Sequence, residues 1–102
     1  MIKYSEFVEL ANKYSLYIYN SNCYLSDQFF VDDELMEYHY TGGFVKFYPN
    51  ITLYEGNIEV LQDMSYDIHT LERLEKALEK FARECKELKI QHKKELIEND
   101  FK

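Results

Sequence analysis

The sequence predicts an α+β fold: a short N-terminal helix, an antiparallel β-meander of four to six strands, and a long C-terminal helix packed on the sheet. Three observations predict it. Apolar residues recur at helical spacing near the start of the chain. β-branched and aromatic runs punctuated by turn-forming residues fill the middle. An uninterrupted three–four apolar repeat, free of Gly and Pro, occupies the C-terminal third. At 102 residues the chain has the length of a single domain.

Residues 4–14 read as the first helix, because Tyr4, Phe7, Val8, Ala11 and Tyr14 fall on one face. Ser5 is placed to cap it, with Glu6 at its positive end. Leu16–Tyr19 reads as a strand, the turn-prone Asn20-Ser21-Asn22 follows, and Cys23-Tyr24-Leu25 forms a second strand. Gln28–Val31 reads as a third strand or a continuation of the second, broken by Asp32-Asp33.

The clearest hairpin runs from Glu34–Tyr40 through Gly42-Gly43 to Phe44–Tyr48. Two glycines supply the positive φ of a two-residue hairpin turn. That register puts Met36, Tyr38, Tyr40, Val45 and Phe47 on a buried face, and Glu37, His39 and Lys46 on a wet one. After Pro49-Asn50 come Ile51–Tyr54, the turn Glu55-Gly56-Asn57, and Ile58–Leu61.

Residues 67–98 read as one helix, with Leu71, Leu74, Leu78, Phe81, Cys85, Leu88 and His92 at strict heptad spacing. Asp67 is placed to cap it, with Tyr66 and Leu71 as a hydrophobic staple. Ala77 and Ala82 widen the stripe, as suits a helix lying on a sheet. The same spacing also suits a dimer seam of Leu78, Phe81, Cys85, Leu88 and His92, so both arrangements stay open. A helix of this length spans roughly 48 Å, against a diameter of roughly 33 Å for a compact domain of this size, so it overhangs, kinks or meets another copy. Leu96, Ile97 and Phe101 are expected to cover a neighbour or fray.

Charge divides the chain. Residues 1–68 hold 11 acids and 3 bases, a net of -8, and all ten tyrosines, whereas residues 69–102 carry +1. A local negative field repels nucleic acid and attracts basic protein surfaces. The bases toward the end of the long helix alternate with Glu84, Glu87 and Glu95, so direct nucleic-acid binding is not expected. No run of about 18 apolar residues is present, so no membrane span is expected. Met1 to Phe7 has no basic stretch followed by an apolar core, so no export signal is read and a cytoplasmic location is expected. In that compartment Cys23 and Cys85 are expected to stay as free thiols.

Candidate chemistry is sparse. His39 falls on the wet strand face, His69 in the first turn of the long helix, and His92 on its seam, none beside a nucleophile or a carboxylate pair. The acidic cluster Asp32-Asp33-Glu34 lacks the spacing of a calcium loop. No phosphate-binding glycine loop, nucleophile elbow or zinc spacing is present. No catalytic residue, metal or cofactor is therefore expected.

The remaining signal is an acidic, tyrosine-rich surface. Tyrosine is enriched at protein interfaces because it buries much area with few rotors and carries a polar tip. Carboxylates spaced along a sheet can stand in for phosphates against an Arg/Lys groove. The candidate partner-binding set is Tyr24, Asp27, Asp32, Asp33, Glu34, Glu37, Tyr48, Tyr54, Glu55 and Glu59. Tyr4, Tyr14, Tyr38 and Tyr40 fall on predicted core faces instead.

In size, in the acid-rich stretch Asp27 to Glu37 with its flanking tyrosines, and in its helix–sheet–helix plan, the chain resembles the small acidic proteins with which phages block host defence, including anti-CRISPR proteins. Usage rich in Lys, Glu, Asn, Ile and Tyr, with no Trp and one Pro, is similar to that of AT-rich bacterial genomes and their phages. The resemblance implies a non-enzymatic inhibitor that occludes the DNA-binding groove of a CRISPR effector or other nuclease. An immunity or antitoxin protein that neutralises a nuclease toxin, and a homodimeric adaptor using the heptad helix, are the alternatives.

Overall fold

A computed structural model describes residues 1–100. It has the expected α+β plan: α1 (Tyr4–Lys13), seven strands, and α2 (Leu71–Asp100). The strands are β1 (Tyr17–Tyr19), β2 (Asn22–Tyr24), β3 (Glu34–His39), β4 (Phe44–Phe47), β5 (Ile51–Tyr54), β6 (Asn57–Val60) and β7 (Tyr66–Ile68). They make a five-stranded antiparallel sheet in the order β1-β2-β3-β4-β7 and a separate β5–β6 hairpin, rather than one continuous meander.

Strand alternation sorts the five-stranded sheet into two faces. Directly opposed residues share a face. Ile18, Cys23, Met36 and Phe47 therefore lie together, with Tyr38, Val45 and Ile68. Most of this face is buried, and the core adds Phe7, Leu10 and Ala11 of α1 and Leu74 and Leu78 of α2. The opposite face carries Tyr17, Tyr19, Asn22, Tyr24, Glu34, Glu37, Lys46 and Asp67 and is left to solvent.

Local rules explain where sequence and structure part. α1 starts two residues earlier than a Ser5 cap requires, with Lys3 at the cap position. The Lys3 backbone N–H donates to Glu6 Oε1 at 2.9 Å, so Glu6 satisfies the helix entry and Ser5 lies inside the first turn. In the central hairpin His39 faces Phe44 and Tyr38 faces Val45, so the loop holds Tyr40 to Gly43 instead of two residues. The slip is by two positions, an even number, so each strand residue keeps its face. Tyr40 leaves the ladder and stacks on Tyr4 (5.4 Å, 25°), while His39 stacks on Phe44 (4.5 Å, 4°). Gly43, at φ 58, accepts a backbone bond from Ile2 at 2.8 Å, and a Cβ there would stand 3.1 Å from the Ile2 carbonyl.

Gln28–Val31 is not a strand. Phe29 takes a left-handed φ of 55, and a single 3-10 turn, Val31–Asp33, leads into β3. A bulge between β2 and β3 then inserts one extra residue, so the consecutive Leu35 and Met36 are both fully buried.

The long helix does not begin at residue 67. Tyr66–Ile68 pairs with β4 as an edge strand, with Ile68 opposite Val45 and Asp67 opposite Lys46. Thr70 is the cap in place of Asp67, since its Oγ1 accepts from the Arg73 N–H at 3.3 Å and its carbonyl from the Leu74 N–H at 3.1 Å. Tyr66 belongs to the strand and forms no staple.

α2 then overhangs. Its 30 residues span about 45 Å, and the molecule measures 55 × 25 × 24 Å. Its accessible area of 6999 Å² exceeds the roughly 6,100 Å² expected of a globular chain of this mass. Leu74 and Leu78 are buried on the sheet, while Phe81, Cys85, Leu88 and His92 are half-buried. Leu78 therefore belongs to the core and offers nothing to a dimer seam. Ala82 is exposed and does not widen the packed stripe. The apolar face of the β5–β6 hairpin, Ile51, Leu53, Ile58 and Val60, accompanies the middle of α2. A Cβ at Gly56 in its turn would lie 3.7 Å from His92 Nε2. No helix among the described residues is long and apolar enough to cross a membrane. The expectation for the side chains of Ile97 and Phe101 falls outside what the structure describes.

Candidate interface on the open sheet face

The open face is built from the chain segment that lacks cations. Residues 14–45 contain Asp27, Asp32, Asp33, Glu34 and Glu37 and not one Lys or Arg. They form β1, β2, the connection after it, and β3, which are three adjacent strands at one side of the sheet. A sequence-local charge excess thus becomes a surface-local one.

Tyr17 opposes Tyr24 across β1 and β2, and Tyr19 opposes Asn22, so three tyrosines share the acidic face. Tyr17 and Tyr19 are 45% and 59% exposed. Glu34 is half-buried, and its Oε1 accepts from Asn22 Nδ2 at 2.9 Å. Burial, followed by repulsion from Glu37, pushes its carboxyl above the ordinary value, and Lys46 partly offsets this. Glu37 stands opposite Lys46, as the strand pairing anticipates. Its Oε1 also lies 3.0 Å from His39 Nε2, although that nitrogen makes no hydrogen bond.

Lys46 is the first cation after this segment. Its ammonium sits 5.4 Å from the Tyr48 ring centre, and Tyr48, Glu37 and Glu34 hold its pKa above the ordinary value while partial desolvation opposes them.

The remaining candidate residues occupy two other places. Asp27, Asp32 and Asp33 lie in the β2–β3 connection, at the edge of the acidic face. Asp32 is exposed, whereas Asp33 accepts from Ser26 Oγ at 2.7 Å. Tyr54, Glu55 and Glu59 are on the β5–β6 hairpin, outside the five-stranded sheet, so they do not join the other carboxylates on one strand ladder. Of the ten tyrosines, Tyr4, Tyr38 and Tyr40 cluster with Phe7, with ring centres 5.1–6.0 Å apart, but Tyr40, expected on a core face, sits in the hairpin turn and is 65% exposed. Tyr38 also donates to the Ile2 carbonyl at 2.8 Å in the core.

Two residues of this face, Tyr17 and Tyr19, are absent from the sequence-derived set. Their alternation with the β-branched Ile18 carried the signal, because residues that flank a core-facing strand position must face the other way. The apolar run Phe29-Phe30-Val31, expected in a third strand or a continuation of the second, is an exposed projection beside the same face.

Among the described residues no group of three or more His, Cys, Asp or Glu is placed to hold a metal ion. Cys23 and Cys85 are free thiols. Burial pushes the Cys23 thiol up to about 12, which leaves it protonated and unreactive at neutral pH. Cys85 lines a cleft of about 530 Å³ with Leu16, Leu25, Phe30, Ile58 and Phe81, where the α1–β1 and β2–β3 connections meet β6 and α2. Burial raises its pKa as well, with Lys89 acting in the opposite direction. His69 precedes α2 rather than standing in its first turn, and packs near Phe44 at 5.3 Å. Comparison with protein-family models, with curated proteins and with solved structures finds no match to this chain.

Proposed function

We propose that the chain is a non-enzymatic inhibitor that docks its acidic, tyrosine-bearing sheet face on the basic nucleic-acid-binding groove of a host-defence nuclease, as anti-CRISPR proteins do. One observation carries this: the cation-free segment 14–45 folds into one side of the sheet, where Glu34 and Glu37 share a face with exposed Tyr17 and Tyr19 and Asp27, Asp32 and Asp33 follow in the connection between β2 and β3. A groove that binds DNA presents Arg and Lys at phosphate spacing and holds anions that binding displaces. Carboxylates borne on a rigid sheet offer the same charge without the ordering cost of a flexible chain. Tyrosines among them add apolar area that a phosphate backbone lacks. Binding of this kind is fast at low salt and weakens as salt rises. A nuclease toxin offers the same basic groove, so an immunity role uses the same surface.

The test uses purified CRISPR effector nucleases loaded with guide, and basic nuclease toxins, in a DNA-binding competition at low and high salt. Wild type should displace DNA from at least one of them. The triple variant Asp27→Lys, Asp32→Lys, Glu37→Gln brings segment 14–45 from -5 to 0 and leaves Asp33 and Glu34, which accept hydrogen bonds from Ser26 and Asn22, untouched. It should lose at least about tenfold in potency with an unchanged circular dichroism spectrum. Equal potency of the variant, or no displacement by wild type, rejects the proposal.

The adaptor alternative rests on the distal part of α2, where Leu88 and His92 of the heptad stripe are half-buried and Leu96, one turn further on, is 52% exposed. Light scattering decides it: a dimer that Leu88→Asp dissolves supports it, and a monomeric wild type removes it.

A further inference from the structure

The connection between β2 and β3 turns three consecutive apolar side chains outward. Phe29, Phe30 and Val31 are 39%, 61% and 72% exposed. A single exposed apolar residue is ordinary, but a contiguous exposed patch marks an interaction site. This one is built in advance. Phe29 holds a left-handed backbone φ of 55, which bulky side chains rarely adopt, and its ring is braced by Tyr19 at 5.4 Å and edge-on by Tyr24 at 5.3 Å. The base of the loop is pinned: Leu25 N–H donates to the Asp33 carbonyl at 2.9 Å, and Asp33 N–H donates to the Phe30 carbonyl at 2.9 Å. Phe30 also walls the cleft beneath α2. A rigid apolar projection gives up little entropy when it is buried by a partner.

The surroundings choose the partner. Asp27 and Asp32 flank the projection, and the nearest Lys or Arg along the chain on either side are Lys13 and Lys46. Lys89 of α2 lines the cleft that Phe30 walls, on the side of the projection away from the open sheet face. An anionic lipid surface would repel the two flanking acids. A two-fold contact between identical copies would set the acids against one another. A protein surface with an apolar socket bordered by cations satisfies both components.

We propose that Phe29, Phe30 and Val31 are the anchor by which this chain seats on a partner protein, and that the partner's receptor surface is an apolar socket ringed by Arg and Lys. The proposal rests on the acidic face being a protein-docking surface, and adds the residues on which the affinity is concentrated, as interface hot spots are.

The experiment pans a displayed library of random dodecapeptides over immobilised wild type and measures the enriched peptides by fluorescence anisotropy. Enriched peptides should combine aromatic or aliphatic residues with Arg or Lys. Phe30→Ser/Val31→Ser should bind them at least about tenfold more weakly, with an unchanged circular dichroism spectrum because both side chains are mostly exposed; Val31→Ser alone, which leaves the cleft wall intact, should weaken binding in the same direction. Peptides without cations, no enrichment over bare support, or equal binding to the double variant each overturn the proposal. So does a wild-type dimer in light scattering that the double variant dissolves, which would assign the projection to a second copy. Loss of binding in the charge variant but not in the apolar one rejects the anchor and keeps the acidic docking face. Cationic apolar peptides that need the anchor, together with no nuclease inhibited, reject the inhibitor function and keep the anchor.

Discussion

Met36 and Glu37 are neighbours in β3, as Val45 and Lys46 are in β4, yet each pair is divided between two solvents. Met36 and Val45 are fully buried beneath the helices, while Glu37 and Lys46 face each other on the open side. The backbone treats both faces alike. Only what covers them differs, and that difference separates residues that hold the fold from residues free to serve a partner.

The comparison is broken most severely on the covered side. Leu78→Asp places an unpaired charge at a fully buried site and should abolish cooperative thermal unfolding, whereas Leu88→Asp should leave a folded protein. If both fold equally well, α2 does not cover the sheet at Leu78. Met36→Ala should cost about 2–5 kcal/mol in urea unfolding, against less than about 0.5 kcal/mol for Glu37→Gln in the same strand. Similar values for the two would erase the division between faces.

Thr70 marks where the chain leaves the edge strand for the covering helix. Thr70→Ala should cost about 1 kcal/mol in the same assay, and Asp67→Ala less, because Asp67 caps nothing. The reverse order would return the helix start to residue 67.

The smallest effect sharpens the open face. Burial and Glu37 hold the Glu34 carboxyl above its ordinary value of 4.5, so its ionised form costs stability. That cost is present above the raised pKa and absent below 4.5. Glu34→Gln should therefore melt slightly above wild type at neutral pH, and the difference should vanish as pH falls through the window just above 4.5. A difference that grows on acidification would reverse the sign and place Glu34 in a stabilising ion pair.

Legibility in the sequence followed the range of the interaction. Periodicity placed α1, most strands and the body of α2, because side-chain direction repeats with the backbone. It also assigned Met36, Tyr38, Val45 and Phe47 to the covered face and Glu37 and Lys46 to the wet one despite a two-residue slip in the turn, since an even slip preserves facing, but it missed the exposure of Tyr40 in that turn and the burial of Leu35 at the bulge. It failed at Tyr66–Ile68, where a three-residue edge strand is short enough to be taken into the helical pattern that follows. It failed at Gln28–Val31, where apolar content resembles a strand but the Phe29 backbone and the pinned loop turn the side chains outward. Of the candidate interface, the acid excess and Tyr24 were visible. The grouping of Tyr17 and Tyr19 with them needed the β1–β2 register, and the separation of Tyr54, Glu55 and Glu59 needed the split into two sheets.

The amino-acid sequence by itself determined the class of fold, the split of charge at residue 68, and the amphipathic face of each long element, because these depend on composition and on periods of two or about three and a half residues. The tertiary structure alone decided that one heptad stripe has two fates, buried at Leu74 and Leu78 and half-open from Phe81 onward. The sheet ends beneath the helix before the stripe does, and a periodic pattern carries no information about how far its partner surface extends.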